Sequence, residues 1–129
     1  MSDRSCVVRD WFSALQARDL EQISARLTPT FCFWTPIESI ATGDFLSMLR
    51  GVFVAFPDWH CNPREFNDVG QETTVVFDAG GTQTGIWELP HVRNPIAPTG
   101  KYVTVSDQAW TFRTEGGKVS SIFGLMFPT

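Results

Sequence analysis

"AFPDWHCNP", residues 55–63, marks the point at which the hydrophobic pattern of the chain changes period. Before it, apolar residues recur at helical spacing: Phe45, Leu49, Val52 with Phe53, and Phe56 fall on one face. Pro57 disfavours helical geometry at Phe56, so a helix starting near Asp44 has to stop there. From His60 onward the period becomes two, in runs near 60–68, 73–79, 82–88, 101–113 and 118–127. The turns between them are "DVG" (68–70), "GG" (80–81), "NPIAPTG" (94–100) and "EGGK" (115–118).

Upstream of the helix beginning near Asp44, Val7 with Val8, Trp11 with Phe12, and Leu15 define a first helix. Asp19 and Gln22 form a capping-box pattern for a second, carrying Leu20, Ile23 and Leu27 and ending at Pro29. "FCFWTP" (31–36) is a short aromatic strand, and "IESIATG" after it has loop character. Helices followed by a run of strands predict an α+β domain with an antiparallel sheet. The length of 129 residues accommodates one domain, 1–129, with a single core.

Composition narrows the function. Hydrophobic residues make up 43% and charged residues 19%, enough for a packed core. Fourteen acidic against ten basic residues, with no run of either sign, argue against nucleic acid as a partner. Cys6, Cys32 and Cys61 show neither a CxxC spacing nor an even number, so no disulfide framework or zinc site is indicated. "MSDRSCVVRDWF" carries charges where a signal peptide needs an apolar core, and no apolar run reaches the ~20 residues of a membrane span. A cytoplasmic protein without a membrane partner is the expectation. The surplus of aromatics, Phe 11 and Trp 5, suits a ligand pocket or an oligomer interface.

The order of three helices with a strand between the second and third, then "AFPDW", "GTQTG" (81–85), "APTGK" (97–101) and "GGKV" (116–119), resembles the SnoaL-like polyketide cyclase branch of the NTF2-like superfamily. The resemblance spans about Val7 to Phe123. It implies a curved antiparallel sheet and three N-terminal helices around a cone-shaped pocket, usually in a homodimer. Polyketide cyclases, steroid isomerases, epoxide hydrolases, dehydratases and pure ligand binders share that architecture, so function has to be argued from the site.

Several site residues follow from the resemblance. Steroid-isomerase relatives place an aspartate base just before the proline ending the first strand; here the residue is Thr35, whose hydroxyl can hydrogen-bond a carbonyl but not shuttle protons unaided. Many relatives place histidine at the centre of "GTxTG"; here it is Gln83, expected on the wall that also carries Phe77 and Trp87, or else a surface amide beside a turn. Gly81 and Gly85 let a ligand or another backbone come close. Cyclases carry an aspartate just after "TGK", where this chain has Val103 and Val105. Asp107 is the nearest carboxylate, either on the same face as those valines or turned to solvent by a bulge near "SDQ".

His60 is the natural proton carrier to consider, although alternation groups it with Asn62 and Arg64 on the polar side. His91, in the 89–98 loop, is a second. Asp58 is read as a cap for backbone amides. Trp34, Trp59, Phe77, Trp87 and Phe123 are the expected ligand-binding residues, while Trp110 and Phe112 lean toward an interface. Epoxide hydrolysis would need an Asp/Arg/Asp constellation that the sequence spacing does not present.

Two functions remain. One is a cofactor-independent cyclase or isomerase acting on an apolar carbonyl compound, polycyclic ones included, with Gln83, Asp107, Thr35 and His60 as catalytic candidates and neither metal nor cofactor. The other is a non-catalytic ligand-binding domain.

Overall fold

The computed structural model describes residues 3–88 and 93–124. Its elements are α1 (Asp3–Gln16), α2 (Leu20–Ala25), β1 (Leu27–Trp34), β2 (Ser39–Ala41), α3 (Thr42–Ala55), β3 (His60–Val69), β4 (Glu72–Thr82), β5 (Tyr102–Glu115) and β6 (Lys118–Phe123). The six strands form one open sheet in the order β2-β1-β6-β5-β4-β3.

The helices form where the periodicity places them. Val8, Trp11, Phe12 and Leu15 of α1 are all buried, as an amphipathic helix laid on a sheet requires. Asp19 caps α2, its carboxylate accepting the Gln22 N–H at 3.1 Å. In α3 the buried residues are Phe45, Leu49, Val52 and Ala55, and Phe56 leaves the helix at φ −124°, as its following proline demands.

Aromatic contacts fasten the helices to one face of the sheet. Trp11 meets Phe112 edge-on at 5.5 Å between ring centroids, Phe12 lies 5.4 Å from Phe77, and Phe45 stacks on Phe33 at 5.3 Å. The opposite face is largely polar: Arg113 pairs with Glu72 at 2.9 Å, and the hydroxyls of Thr74 and Thr111 are 3.2 Å apart.

Four expectations need correction. The sheet is not wholly antiparallel, because β1 and β6 pair in parallel. The second helix ends at Ala25 rather than Pro29, and β1 starts at Leu27, with a register shift between Leu27 and Cys32 absorbing Pro29. Part of "IESIATG" pairs as β2. β4 runs on through the glycine pair at 80 and 81, read as a turn, to Thr82, and residues 83–88 are not a strand: their backbone hydrogen bonds go mainly to the end of α3 and to the connection before β5. His91 and the end of the 118–127 run lie outside the described residues.

Candidate functional site

A cavity of about 260 Å³ opens between the sheet and the helices. Its walls come from α1 (Leu15), α3 (Leu49, Val52), the corner after α3 (Phe56, Trp59), β3 (Cys61), β4 (Phe77, Ala79), the connection after β4 (Trp87) and β5 (Val103, Thr104, Val105, Gln108, Trp110). The aromatic walls brace one another: Phe56 is 5.4 Å from Trp59 and 5.0 Å from Trp87, and Phe77 is 5.0 Å from Trp110. Such packing fixes the shape of the wall before any ligand arrives.

Among the described lining residues none is Asp, Glu, His, Lys or Arg. The Cys61 thiol is the lining group able to ionise at accessible pH, and burial pushes it up to about 12, so it is a neutral thiol at physiological pH. No cluster of metal-ligating side chains occurs among the described residues. Whatever the cavity does to a ligand, it does with shape, apolar contact and neutral hydrogen bonds.

Of the five residues expected to bind a ligand, Trp59, Phe77 and Trp87 line the cavity. Trp34 and Phe123 do not. They stand directly opposite each other on β1 and β6 and face outward, about half exposed, because Phe33 and Ile122 take the inward positions of those strands.

The four catalytic candidates are not brought together. Thr35 closes the turn between β1 and β2: its hydroxyl donates to the Glu38 carbonyl at 3.1 Å and accepts the Glu38 N–H at 3.0 Å. His60 lies exposed on the outer face, its Nε2 3.3 Å from the Tyr102 hydroxyl. Gln83 is buried, yet its amide is directed into the connection between β4 and β5. Nε2 donates to the Ala97 carbonyl at 3.1 Å, and Oε1 accepts the Thr99 hydroxyl at 3.2 Å. These bonds fasten one end of the connection that carries Trp87.

Gly81 lies close under the side chains of Asp58 and Phe56, and Gly85 serves the approach of backbone to backbone. The Ala55 carbonyl, left open at the end of α3, accepts the N–H groups of Thr84 and Gly85 at 3.0 and 3.1 Å. A Cβ on Gly85 would collide with the Val54 carbonyl. "GTQTG" therefore docks the β4–β5 connection onto α3.

Asp107 turns outward through the bulge. Phe77 pairs with Gln108 and Ala79 with Val105, so Ser106 and Asp107 together face Asp78. Asp107 takes φ +56°, a left-handed geometry that Asp tolerates better than most residues. Its N–H donates to Asp78 Oδ1 at 2.9 Å and its carboxylate pairs with Arg64, whose Nε also meets Asp78 Oδ2 at 3.1 Å. An Asp/Arg/Asp cluster thus exists, contrary to the reading from spacing, but on the exposed outer face rather than in the cavity.

Of the β5 wall, Val103 and Val105 stand where the resemblance put the site, whereas Gln108 and Trp110 were not assigned to it from the sequence. Trp110 and Phe112 are buried in the interior instead of facing a partner. The signal for Gln108 was available. Once one extra residue is counted at "SDQ", the inward series runs Val103, Val105, Gln108, Trp110, Phe112. Asp58, read as a cap, accepts the Thr82 N–H at 2.7 Å, which ties the corner after α3 to the end of β4. That bond holds its carboxyl below the ordinary range.

Residues 8–122 match the family model described as SnoaL-like domain. The chain belongs to the SnoaL-like family. Solved SnoaL-like and NTF2-like structures share its fold. AclR of Streptomyces galilaeus, provisionally assigned as a hydroxylase, superposes with a TM-score of 0.81 at 20% identity over 97% of this chain and 75% of its own. IdmH of Streptomyces antibioticus, provisionally assigned as a polyketide cyclase, gives 0.75 at 17% identity over 95% and 90%. A SnoaL-like protein of Jannaschia sp. CCS1, with the same provisional assignment, gives 0.76 at 17% over 95% and 84%. At such identities these likenesses concern the fold. No curated protein sequence matches the chain significantly. Among the described residues no helix is long and apolar enough to cross a membrane.

Proposed function

We propose that this SnoaL-like protein encloses a flat, apolar, carbonyl-bearing small molecule and promotes its cyclisation or isomerisation by confinement, without a cofactor. The observation that carries this reading is the wall itself: Phe56, Trp59, Phe77, Trp87 and Trp110 around a cavity of about 260 Å³, with no ionised side chain among its described lining residues. Apolar area removed from water favours binding by roughly 25 cal/mol per Å². Holding a tethered enol and ketone in a near-attack geometry lowers the barrier to their aldol addition, in which the C–C bond forms, the ketone π bond breaks and the enol proton passes directly to the new alkoxide oxygen, with no side chain needed to carry it. Such an addition, like an isomerisation, leaves the composition of the substrate unchanged, so neither demands an oxidant or reductant. The structurally similar proteins assigned as cyclases are consistent with that class of reaction.

The same lack of an acid or base in the wall favours a second reading, a domain that binds such a molecule and leaves it unaltered. An aromatic β-keto ester with a tethered ketone separates the two, because its intramolecular aldol closure is read by chromatography and its binding by tryptophan quenching. Saturable binding with closure faster than in buffer supports the enzyme. Saturable binding with closure at the buffer rate assigns the chain to the second reading. Ala79→Phe, which fills the cavity from β4, abolishes both signals if the cavity is the site.

A further inference from the structure

The apolar wall carries one flexible neutral amide, and the sheet is irregular at the point that puts it there. In an unbroken strand the inward series Val103, Val105 would continue to Asp107. The two-for-one bulge of Ser106 and Asp107 against Asp78 reverses the alternation and brings Gln108 inward beside Phe77, Val105 and Trp110. Arg64 holds the displaced carboxylate on the outer face together with Asp78. The strand therefore keeps its charge outside and offers an amide within.

We infer that Gln108 is the specificity-determining residue of the cavity and selects a neutral aromatic ketone or enol over both the bare hydrocarbon and the corresponding carboxylate. The inference rests on the small-molecule reading above and narrows its ligand class. The Gln108 amide makes one long intramolecular contact, Nε2 to the Ser106 carbonyl at 3.4 Å. Its Oε1 and second N–H are then available to a ligand, one acceptor and one donor. A ketone takes the donor; an enol or phenol uses either. A carboxylate gains one hydrogen bond but loses its hydration in a wall whose described residues include no cation. A hydrocarbon gains burial alone.

Three bicyclic probes test this on the full chain by tryptophan quenching at neutral pH: naphthalene, 1-acetonaphthone and 1-naphthoate. The ketone is expected to bind about 10-fold tighter than naphthalene, the fold-change that one net hydrogen bond supplies, and at least about 10-fold tighter than naphthoate. In Gln108→Leu, and in the straighter Gln108→Met, the ketone-to-naphthalene ratio falls to near one. Asp107→Gly, which accepts a positive φ, retains the ratio, while the β-branched Asp107→Val lowers it.

An unchanged ratio in both Gln108 variants overturns the assignment of Gln108. Naphthoate binding as tightly as the ketone overturns the neutral ligand class. A ratio that survives Asp107→Val overturns the role of the bulge. If naphthalene itself does not bind, the apolar-ligand reading of the cavity fails, and this inference fails with it.

Discussion

The Gln83 side chain accepts a hydrogen bond from the Thr99 hydroxyl at 3.2 Å, and its other end donates to the Ala97 carbonyl at 3.1 Å. A residue at the centre of "GTQTG" thus fastens the far end of the connection that leaves β4 and returns as β5. The Trp87 N–H donates to the Ile96 carbonyl at 2.9 Å within the same connection, and the Trp87 ring forms part of the cavity wall. Gln83 is coupled to the cavity through the element it holds.

Gln83→Ala is accordingly expected to destabilise the fold by about 1–3 kcal/mol, the net worth of its two side-chain hydrogen bonds, whose partners Ala97 and Thr99 are exposed and can turn to water instead. Chemical denaturation measures that loss. Hydrogen exchange should quicken at Gly100, whose N–H donates to the Gln83 carbonyl at 2.9 Å, before it quickens in the core strands. Unchanged stability together with lost probe binding would instead move Gln83 into ligand contact.

The Ala79→Phe variant tests the cavity by volume. Ala79 is buried on the inner face of β4 between Phe77 and the pair of glycines at 80 and 81. A benzyl group there projects into open space of about 260 Å³. Naphthalene quenching should be lost, with a stability change within about 3 kcal/mol, the usual range for an overpacked site. Retained quenching would put the aromatic ligand elsewhere.

The helices and the inward face of β4 were legible in the sequence because both obey one period throughout. Val75, Phe77 and Ala79 alternate inward as written. In β5 the sequence offers a bulge near "SDQ" but not its direction, because the side to which Asp107 turns is set by Asp78 and Arg64 from two other strands. Residues 82–88 read as a strand for a related reason. Their alternation is real, but the end of α3 supplies hydrogen-bond partners for Thr84 and Gly85 that no local pattern reveals. Trp34 and Phe123 are expected ligand-binding residues in the sequence, whereas alternation with Phe33 and Ile122 turns them out.

Asp58 gives a pH-dependent contribution whose sign is fixed by its partner. The hydrogen bond from the Thr82 N–H favours the carboxylate and lowers its pKa in the folded state from the ordinary 3.8. A lowered folded value means stability present above the unfolded pKa and lost as pH falls through the folded one. The stability difference between wild type and Asp58→Ala should therefore be constant from neutral pH to about 5 and shrink below about 4. A difference that grows with acid would exclude this origin. Because the carboxylate is exposed, its magnitude is expected to be small.

Cys61 behaves in the opposite sense. Burial raises the thiol from 9.0 to about 12, so the folded protein resists its ionisation. Stability tied to this group is complete below the unfolded value and declines as pH rises from 9 toward 12. Iodoacetamide at pH 8 should alkylate exposed Cys6 readily and leave Cys61 unmodified until the protein unfolds. Mass spectrometry of the labelled peptides checks this, and fast native labelling of Cys61 would contradict a buried neutral thiol in the wall.

Gly85→Ala probes the docking of "GTQTG" on α3. The added Cβ would collide with the Val54 carbonyl, which belongs to backbone near the end of the helix and cannot rotate away as a side chain would. Either the connection lifts, breaking the hydrogen bonds from Thr84 and Gly85 to the Ala55 carbonyl, or α3 loses its last turn. Both outcomes cost about 2–4 kcal/mol on the scale of buried hydrogen bonds and overpacking. Gly43→Ala, where a Cβ meets nothing within 4 Å, is the matched control and should be neutral or stabilising through helix propensity. Trp87 lies two residues beyond Gly85 on the same connection, so lifting it also displaces a wall of the cavity. The variant should lose naphthalene affinity along with stability, whereas equal probe binding in Gly85→Ala and Gly43→Ala would show that Trp87 is held independently of this contact.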